Sequence, residues 1–217
     1  MYINIHTHQT AAAHEWTIQN LYKNFQLITE PGRYSIGLHP WYIDENWLAQ
    51  MDELKEWCKH SNIIAIGECG LDKICKTDFF LQLEVFGAKV QLANTINKPL
   101  IIHCVRAWEE VFQLLEQQKN KVPVIFHGFN KNLLLAQKII SRGYYLSFGK
   151  SLQKDVVKRV LTSLPINKIF LETDDKAISI LKIYEMAAQA FSVDVNSLVL
   201  QMEKNAAIVF GAAAIQL

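Results

Sequence analysis

Eight short runs of mostly apolar residues punctuate this chain of 217 residues, and none shows the strict apolar/polar alternation of a half-exposed strand. They are Tyr2 to Ile5, Phe25 to Thr29, Tyr34 to Leu38, Ile63 to Gly67, Leu100 to Ile102, Val124 to Phe126, Tyr144 to Phe148, and Lys168 to Leu171. Such runs predict strands buried on both faces, the usual state of strands in a parallel sheet. Between most of them lie helical patterns. Trp47 to Lys59 places Trp47, Met51, Leu54 and Cys58 at helical spacing, and Asp78 to Ile96 repeats Phe79, Leu83, Phe86, Val90 and Ala93. Further helices are predicted over Lys131 to Arg142, Asp155 to Leu164 and Val195 to Phe210. Strand and helix in alternation imply parallel pairing through right-handed crossovers. Eight strands make a closed TIM-type (β/α)8 barrel of the α/β class the expected fold.

Local signals set the boundaries. Gly143 is a left-handed stop for the helix before it, and Pro99 and Pro123 stand at strand entrances, where a missing amide hydrogen is tolerated. Too few residues separate His8 from Tyr34 for full helices on both sides of the second strand, so that quarter of the barrel is expected to be abbreviated. The length suits one barrel, no linker divides it, and a single domain over 1–217 is expected.

The charge balance, 22 Lys and Arg against 21 Asp and Glu, gives no global pull toward nucleic acid or membrane. Any anionic ligand must be held by local charge. Cys58, Cys69, Cys75 and Cys104 form no CxxC pair and read as reduced thiols. With no leader-like segment and no apolar stretch of about 18 residues, a cytoplasmic protein is expected.

The chemistry sits where the runs end. His6 and His8 close the first run, Glu68 follows Gly67, His103 follows Ile102, His127 follows Phe126, and Asp174 lies just beyond Leu171. His6 and His8, two apart on a strand, project to one side and can share a metal. An HxH pair alone is weak, but five of the seven histidines (His6, His8, His39, His103, His127) fall at strand ends. Parallel sheets carry their sites at the carboxyl ends of their strands. Imidazole and carboxylate donors suit zinc, manganese, iron or magnesium. Six such groups exceed one closed tetrahedral site and imply two metals sharing a bridging carboxylate. The bland alternatives are a salt bridge from Glu68 to a lysine and a helix cap at Asp174. Cys69 and Cys104 read as small packing residues.

Asn4-Ile5-His6-Thr7-His8, Ile36-Gly37-Leu38-His39-Pro40, Ile66-Gly67-Glu68-Cys69-Gly70-Leu71-Asp72, Pro99-Leu100-Ile101-Ile102-His103, Phe126-His127-Gly128-Phe129, Leu146-Ser147-Phe148-Gly149 and Leu171-Glu172-Thr173-Asp174 together resemble the TatD-like metal-dependent hydrolases in order and spacing. The resemblance covers nearly the whole chain. It implies a barrel with two divalent metal ions (Mg, Mn or Zn) and, in the best-known members, hydrolysis of DNA phosphodiesters. His6, His8 and Asp174 would hold one ion, His103 and His127 the second, with Glu68 bridging. His39 and Asp72 match positions close to the site that are not first-choice ligands. Lys204-Asn205-Ala206-Ala207 with Phe210 resembles a structural C-terminal helix of the family.

Departures from the pattern touch the surroundings. Asn4 replaces the usual aspartate before the HxH pair, which removes negative charge behind the ligands and lowers the expected metal affinity. Cys104-Val105-Arg106 replaces a serine, arginine, aspartate triplet, Lys73 replaces an aromatic residue, and an arginine-rich connection is absent.

Three functions are compatible with these residues. The first is a metal-dependent phosphodiesterase or phosphatase, a deoxyribonuclease by resemblance, with Asp174 and Glu68 as catalytic residues. His39, Lys73 and Arg106 would then bind substrate, and Lys131, Lys150 and Lys176 would add local positive field. The second is an amidohydrolase-like enzyme acting on a small amide or lactone. The third is a catalytically degenerate metal-binding scaffold. If DNA is the substrate, short or single-stranded ends suit a barrel mouth better than a duplex. Trp41, Tyr42 and Trp108 serve equally as stacking rings or rim packing.

Overall fold

The computed structural model describes residues 1–10, 12, 14–28 and 32–215. Eight strands lie in one parallel sheet in chain order: β1 (Tyr2–Thr7), β2 (Glu15–Leu21), β3 (Tyr34–Ile36), β4 (Ile63–Asp72), β5 (Leu100–Val105), β6 (Val124–Phe126), β7 (Tyr145–Phe148) and β8 (Ile169–Leu171). Helices α1 (Trp47–Trp57), α2 (Phe79–Ile96), α3 (Trp108–Gln117), α4 (Leu133–Ile140) and α5 (Asp155–Thr162) fill the connections from β3 onward, and α6 (Ile180–Phe191), α7 (Val195–Phe210) and the short α8 (Ala212–Ile215) follow β8. The described residues form two compact units, 1–19 with 125–217, and 20–124.

In the first unit, β6, β7 and β8 pair in parallel, and β1 joins β8 through a bridge between Thr7 and Asp174. The Asp174 amide donates to the His6 carbonyl at 3.0 Å, and the His8 amide donates to the Asp174 carbonyl at 3.2 Å. Ile3, Ile5, Trp16, Phe126, Phe148 and Phe170 are buried here. Tyr184 of α6, also buried, donates its hydroxyl to the Ile3 carbonyl and accepts the Ile3 amide, so β1 is tied to the helix layer on both of its backbone groups. As the sequence predicted, α7 packs an apolar face inward through Leu198, Met202, Ala206 and Val209. Asn205 is structural: its amide donates to the carbonyls of Ile166 at 2.9 Å and Ile169 at 2.8 Å, which ties α7 to the start of β8.

In the second unit, β4 is the spine. Ile63, Ala65, Ile66, Cys69 and Leu71 have no exposed surface, so both faces are covered, β3 pairs on one edge and β5 on the other. Gly70 lies at φ +138° opposite His103 of β5, and a Cβ there would stand 2.1 Å from the His103 carbonyl oxygen. The close approach of these strands therefore requires glycine. Asp78 caps α2 by accepting the Leu81 amide at 2.9 Å, and Asn97, left-handed at φ 53°, ends it.

Two expectations are corrected. The second strand is Glu15–Leu21, not Phe25 to Thr29; Phe25–Leu27 is a 3-10 turn, and Thr29 lies outside the described residues. The true β2 buries Thr17 and Asn20 beside Trp16 and Ile18, and those polar residues interrupt the apolar run that marks the other strands. β4 and β5 also continue past their apolar runs, so Glu68 and His103 stand inside strands rather than just beyond them.

Candidate metal centre

The first unit gathers His6, His8, His127 and Asp174. His6 belongs to β1, His8 follows it, His127 follows β6 and Asp174 follows β8. Asp174 Oδ1 lies 3.6 Å from His6 Nε2 and 3.7 Å from His8 Nε2, and the rings of His6 and His127 are 4.3 Å apart. These N to O separations exceed a hydrogen bond. They approach the spacing of about 3.4 Å expected for two ligands on one tetrahedral ion with bonds of about 2.1 Å. One ligand atom each from His6, His127 and Asp174 falls within a 4.8 Å cluster. The donor set thus fits a divalent ion.

Behind these groups lies a polar clasp. Asn4, 2% exposed, donates its side-chain amide to Thr173 Oγ1 at 3.0 Å and accepts the Thr173 backbone amide at 3.1 Å. The hydroxyls of Thr173 and Thr7 lie 2.9 Å apart, and Thr7 donates to the Asp174 carbonyl at 3.2 Å. Asp174 has left-handed backbone at φ 55°, a conformation this clasp holds in place. Buried Glu172 accepts the Gly128 amide at 2.8 Å and lies 3.6 Å from His127 Nδ1, so a carboxylate stands behind the third histidine.

The second unit gathers His39, Glu68, His103 and Asp72. Glu68 Oε1 lies 2.9 Å from His103 Nδ1 and 3.3 Å from His39 Nε2. Its Oε2 is 3.5 Å from the Asn20 amide, which is itself fixed by the Ser35 hydroxyl at 3.0 Å. Asp72 Oδ2 lies 3.3 Å from His103 Nε2 and accepts the Trp41 indole N–H at 2.7 Å. Burial pushes the Asp72 carboxyl up, but hydrogen bonds from Trp41, the Ile74 amide and His103 outweigh it and hold the group below the usual carboxylate range. An ionised Asp72 can only accept a hydrogen bond from His103 Nε2, which leaves Nδ1 facing Glu68.

His39 plays a different part. Its Nδ1 accepts the Trp41 backbone amide at 3.1 Å, and burial lowers its pKa against the opposing effect of Glu68. A neutral imidazole accepting at Nδ1 carries its proton at Nε2. That nitrogen faces Glu68 as a donor, which suits orientation of a carboxylate or a substrate oxygen better than ligation.

The basic residues are less concentrated. Lys73 is paired with Glu110 and lies over the Phe79 ring, so its charge is already answered. Lys176 is paired with neighbouring Asp175. Arg106 is exposed at φ 56° just past β5, and Lys131 and Lys150 are exposed. Cys69 is buried and its thiol is pushed up to about 12 by that burial, in keeping with a packing role. Sequence reasoning missed Asn20, Trp41, Glu172 and Lys89 as supporting residues. Lys89 was detectable as a charged residue within an otherwise largely apolar helical segment, and Glu172 as the carboxylate that directly ends the apolar run Ile169-Phe170-Leu171. Lys89 of α2 has no exposed surface and donates to the Leu38 carbonyl; burial brings its pKa down to about 8.

The family model described as TatD related DNase matches residues 4–211. The chain belongs to this family. A metal-dependent hydrolase of Bacillus subtilis, YabD, is 34% identical over 149 residues, which are 64% of this chain and 57% of that protein. The chain spans just over half the length of the first curated relatives it matches. A TatD family hydrolase structure from Entamoeba histolytica superposes with a TM-score of 0.80 at 18% identity, covering 97% of this chain and 98% of that one. The phosphotriesterase homology protein of Escherichia coli, solved with phosphate in its active site, gives a TM-score of 0.61 at 18% identity over 82% of this chain and 74% of that one. At that identity the two structures establish fold alone: the TIM-type (β/α)8 barrel. The curated relatives of Bacillus subtilis and Buchnera aphidicola that the chain resembles are described as metal-dependent hydrolases. Among the described residues no helix is long and apolar enough to cross a membrane.

Proposed function

We propose that this chain is a metal-dependent phosphodiesterase, a single-domain barrel over 1–217 acting on nucleic-acid ends through two divalent ions. The observation that carries the reading is the pair of histidine–carboxylate clusters, His6, His8, His127 and Asp174 in one unit and His39, Glu68 and His103 in the other. A (β/α)8 fold brings the carboxyl ends of its strands to one face. Following the family pattern, His6, His8 and Asp174 are assigned to one ion, His103 and His127 to the other, and Glu68 to both, although His127 also stands within ligating reach of the His6 and Asp174 group. Bound divalent ions would acidify a water, orient it for in-line attack and neutralise charge on the phosphate.

The chain's own residues supply the rest. Asp174 would offer a carboxylate oxygen to take the proton of the attacking water. Asp72 and Glu172 hold the rings of His103 and His127 in register. Neutral His39 donates from Nε2 and orients either Glu68 or a phosphate oxygen. Arg106, exposed just past β5, is the cation assigned to meet the anionic substrate. The family's description, TatD related DNase, is what supports a phosphodiester over an amide.

The test is hydrolysis of bis-p-nitrophenyl phosphate and single-stranded DNA with added magnesium, manganese or zinc. Turnover by the wild type and its loss by about a thousandfold or more in Asp174→Asn and Glu68→Ala is the expected result. Turnover of a lactone or cyclic amide with none of either phosphodiester would replace this reading with the amidohydrolase one.

A further inference from the structure

Next to His39, within the second unit, lies a cleft of about 270 Å³ lined by Tyr22, Lys23, Leu38, His39, Tyr42 and Gln50. Tyr22 and Tyr42 are stacked, with ring centroids 4.6 Å apart and planes only 10° from parallel. Tyr42 is nevertheless 49% exposed. Lys23 Nζ stands 5.4 Å from the centre of the Tyr22 ring and 5.8 Å from that of Tyr42. In the wall, Gln50 Oε1 is buried without a hydrogen-bond partner among the described residues, while the amide nitrogen of the same side chain reaches Asp44 at 3.4 Å.

Each observation narrows the ligand. A half-exposed aromatic face already ordered by its stacked neighbour can accept a planar ring at little further cost in side-chain freedom. A buried acceptor lacking a donor calls for an N–H. The Lys23 ammonium calls for negative charge close to that ring. A plain apolar ligand would leave both Gln50 and Lys23 unanswered. Free phosphate would not use the rings and would meet the Glu53 carboxylate, which also lines the cleft.

We infer that this cleft receives the terminal nucleobase of a single-stranded nucleic acid, stacked on Tyr42, with a base N–H on Gln50 Oε1 and a backbone phosphate near Lys23. Because His39 belongs both to the cleft and to the Glu68 cluster, a base held here lies beside the residues assigned to hydrolysis. Binding in the cleft is independent of the phosphodiesterase reading, and only cleavage of the bound strand rests on it. Base recognition by stacking is tolerant of sequence, so it selects unpaired ends over duplex without selecting a particular base.

The test compares two fluorescent oligonucleotides of equal length and charge, one bearing thymines and one abasic, both with hydrolysis-resistant phosphorothioate linkages. Binding to the full chain is followed by anisotropy. The wild type should prefer the base-bearing strand by about tenfold, the lower part of the range for one base stacked on one aromatic ring. Tyr42→Ala should abolish that preference, Tyr42→Trp should keep it, and Lys23→Gln should weaken both strands alike with a shallower salt dependence. A thermal melt controls for folding of each variant. Equal binding of the two strands by the wild type, or a preference that survives in a folded Tyr42→Ala protein, overturns the assignment. Turnover of bis-p-nitrophenyl phosphate reports separately on the hydrolytic reading. If that ester is untouched while the base preference depends on Tyr42, the cleft stands and the hydrolytic reading falls.

Discussion

The indole of Trp41 donates to Asp72 Oδ2 at 2.7 Å, and the same oxygen lies 3.3 Å from His103 Nε2. An exposed aromatic residue thereby fixes a buried carboxylate, and the carboxylate fixes the imidazole that faces Glu68. Asp72→Asn keeps the shape of the side chain but replaces a charged acceptor by a neutral amide, so His103 loses its preferred orientation. Divalent-ion affinity should fall about 10- to 100-fold, the usual cost of removing a carboxylate behind a ligating histidine. Isothermal titration calorimetry measures it directly, and unchanged affinity would remove Asp72 from the account.

Asn4 is the departure with the clearest structural reason. Its amide both donates to and accepts from Thr173, a pairing that an aspartate could make only as acceptor, with the Thr173 hydroxyl reversed. Asn4→Asp should therefore preserve the clasp while adding negative charge behind His6, His8 and Asp174. Metal affinity should rise by about tenfold. A loss of affinity would mean that the direction of the Thr173 and Thr7 hydroxyls matters more than the added charge.

Glu172 should matter through His127. Glu172→Ala removes the acceptor of the Gly128 amide as well as the carboxylate beside the ring. About 1–3 kcal/mol of stability should be lost with the buried amide bond, together with metal affinity. Glu172→Gln should recover most of the stability but little of the affinity. Denaturant melts and calorimetry on the two variants separate these effects.

Lys89 gives the stability a pH dependence with a defined sign. Its pKa is about 8 in the folded chain against an ordinary 10.5, because burial disfavours the ammonium, so between these values the unfolded state holds more protons than the folded one. The Lys89 contribution therefore becomes more favourable as pH rises through that window, by about 3 kcal/mol in all. Cys69 acts oppositely, since its thiol is pushed up to about 12 from 9 and folded-state stability is lost as pH rises between them. Comparison with Lys89→Met, which retains Cys69, isolates the lysine. Urea unfolding from pH 7 to 10.5 should show the wild type gaining on the variant, and parallel curves would contradict the buried charge.

Strands whose two faces are apolar were legible because burial on both sides leaves unbroken runs, and β6 matches its sequence boundaries at Val124 and Phe126. β2 was not legible because it buries Asn20 and Thr17, and Asn20 is there to reach Glu68. The ligand candidates could be read from their place at strand ends. Their supports could not: Trp41 on its 3-10 turn is joined to Asp72 only by tertiary structure, as Asn4 is to Thr173. Sequence also offered Lys73 as a substrate cation, whereas its tie to Glu110 is a contact across 37 positions that no local pattern announces.

Metal content of the purified full chain, by elemental analysis before and after dialysis against divalent ions, on the wild type and Glu68→Ala, decides whether two ions share Glu68. The two-metal account expects close to two ions per wild-type chain and one or fewer in Glu68→Ala, because that variant removes the ligand assigned to both. A chain that holds no divalent ion, or one whose stoichiometry is unchanged by Glu68→Ala, would contradict it.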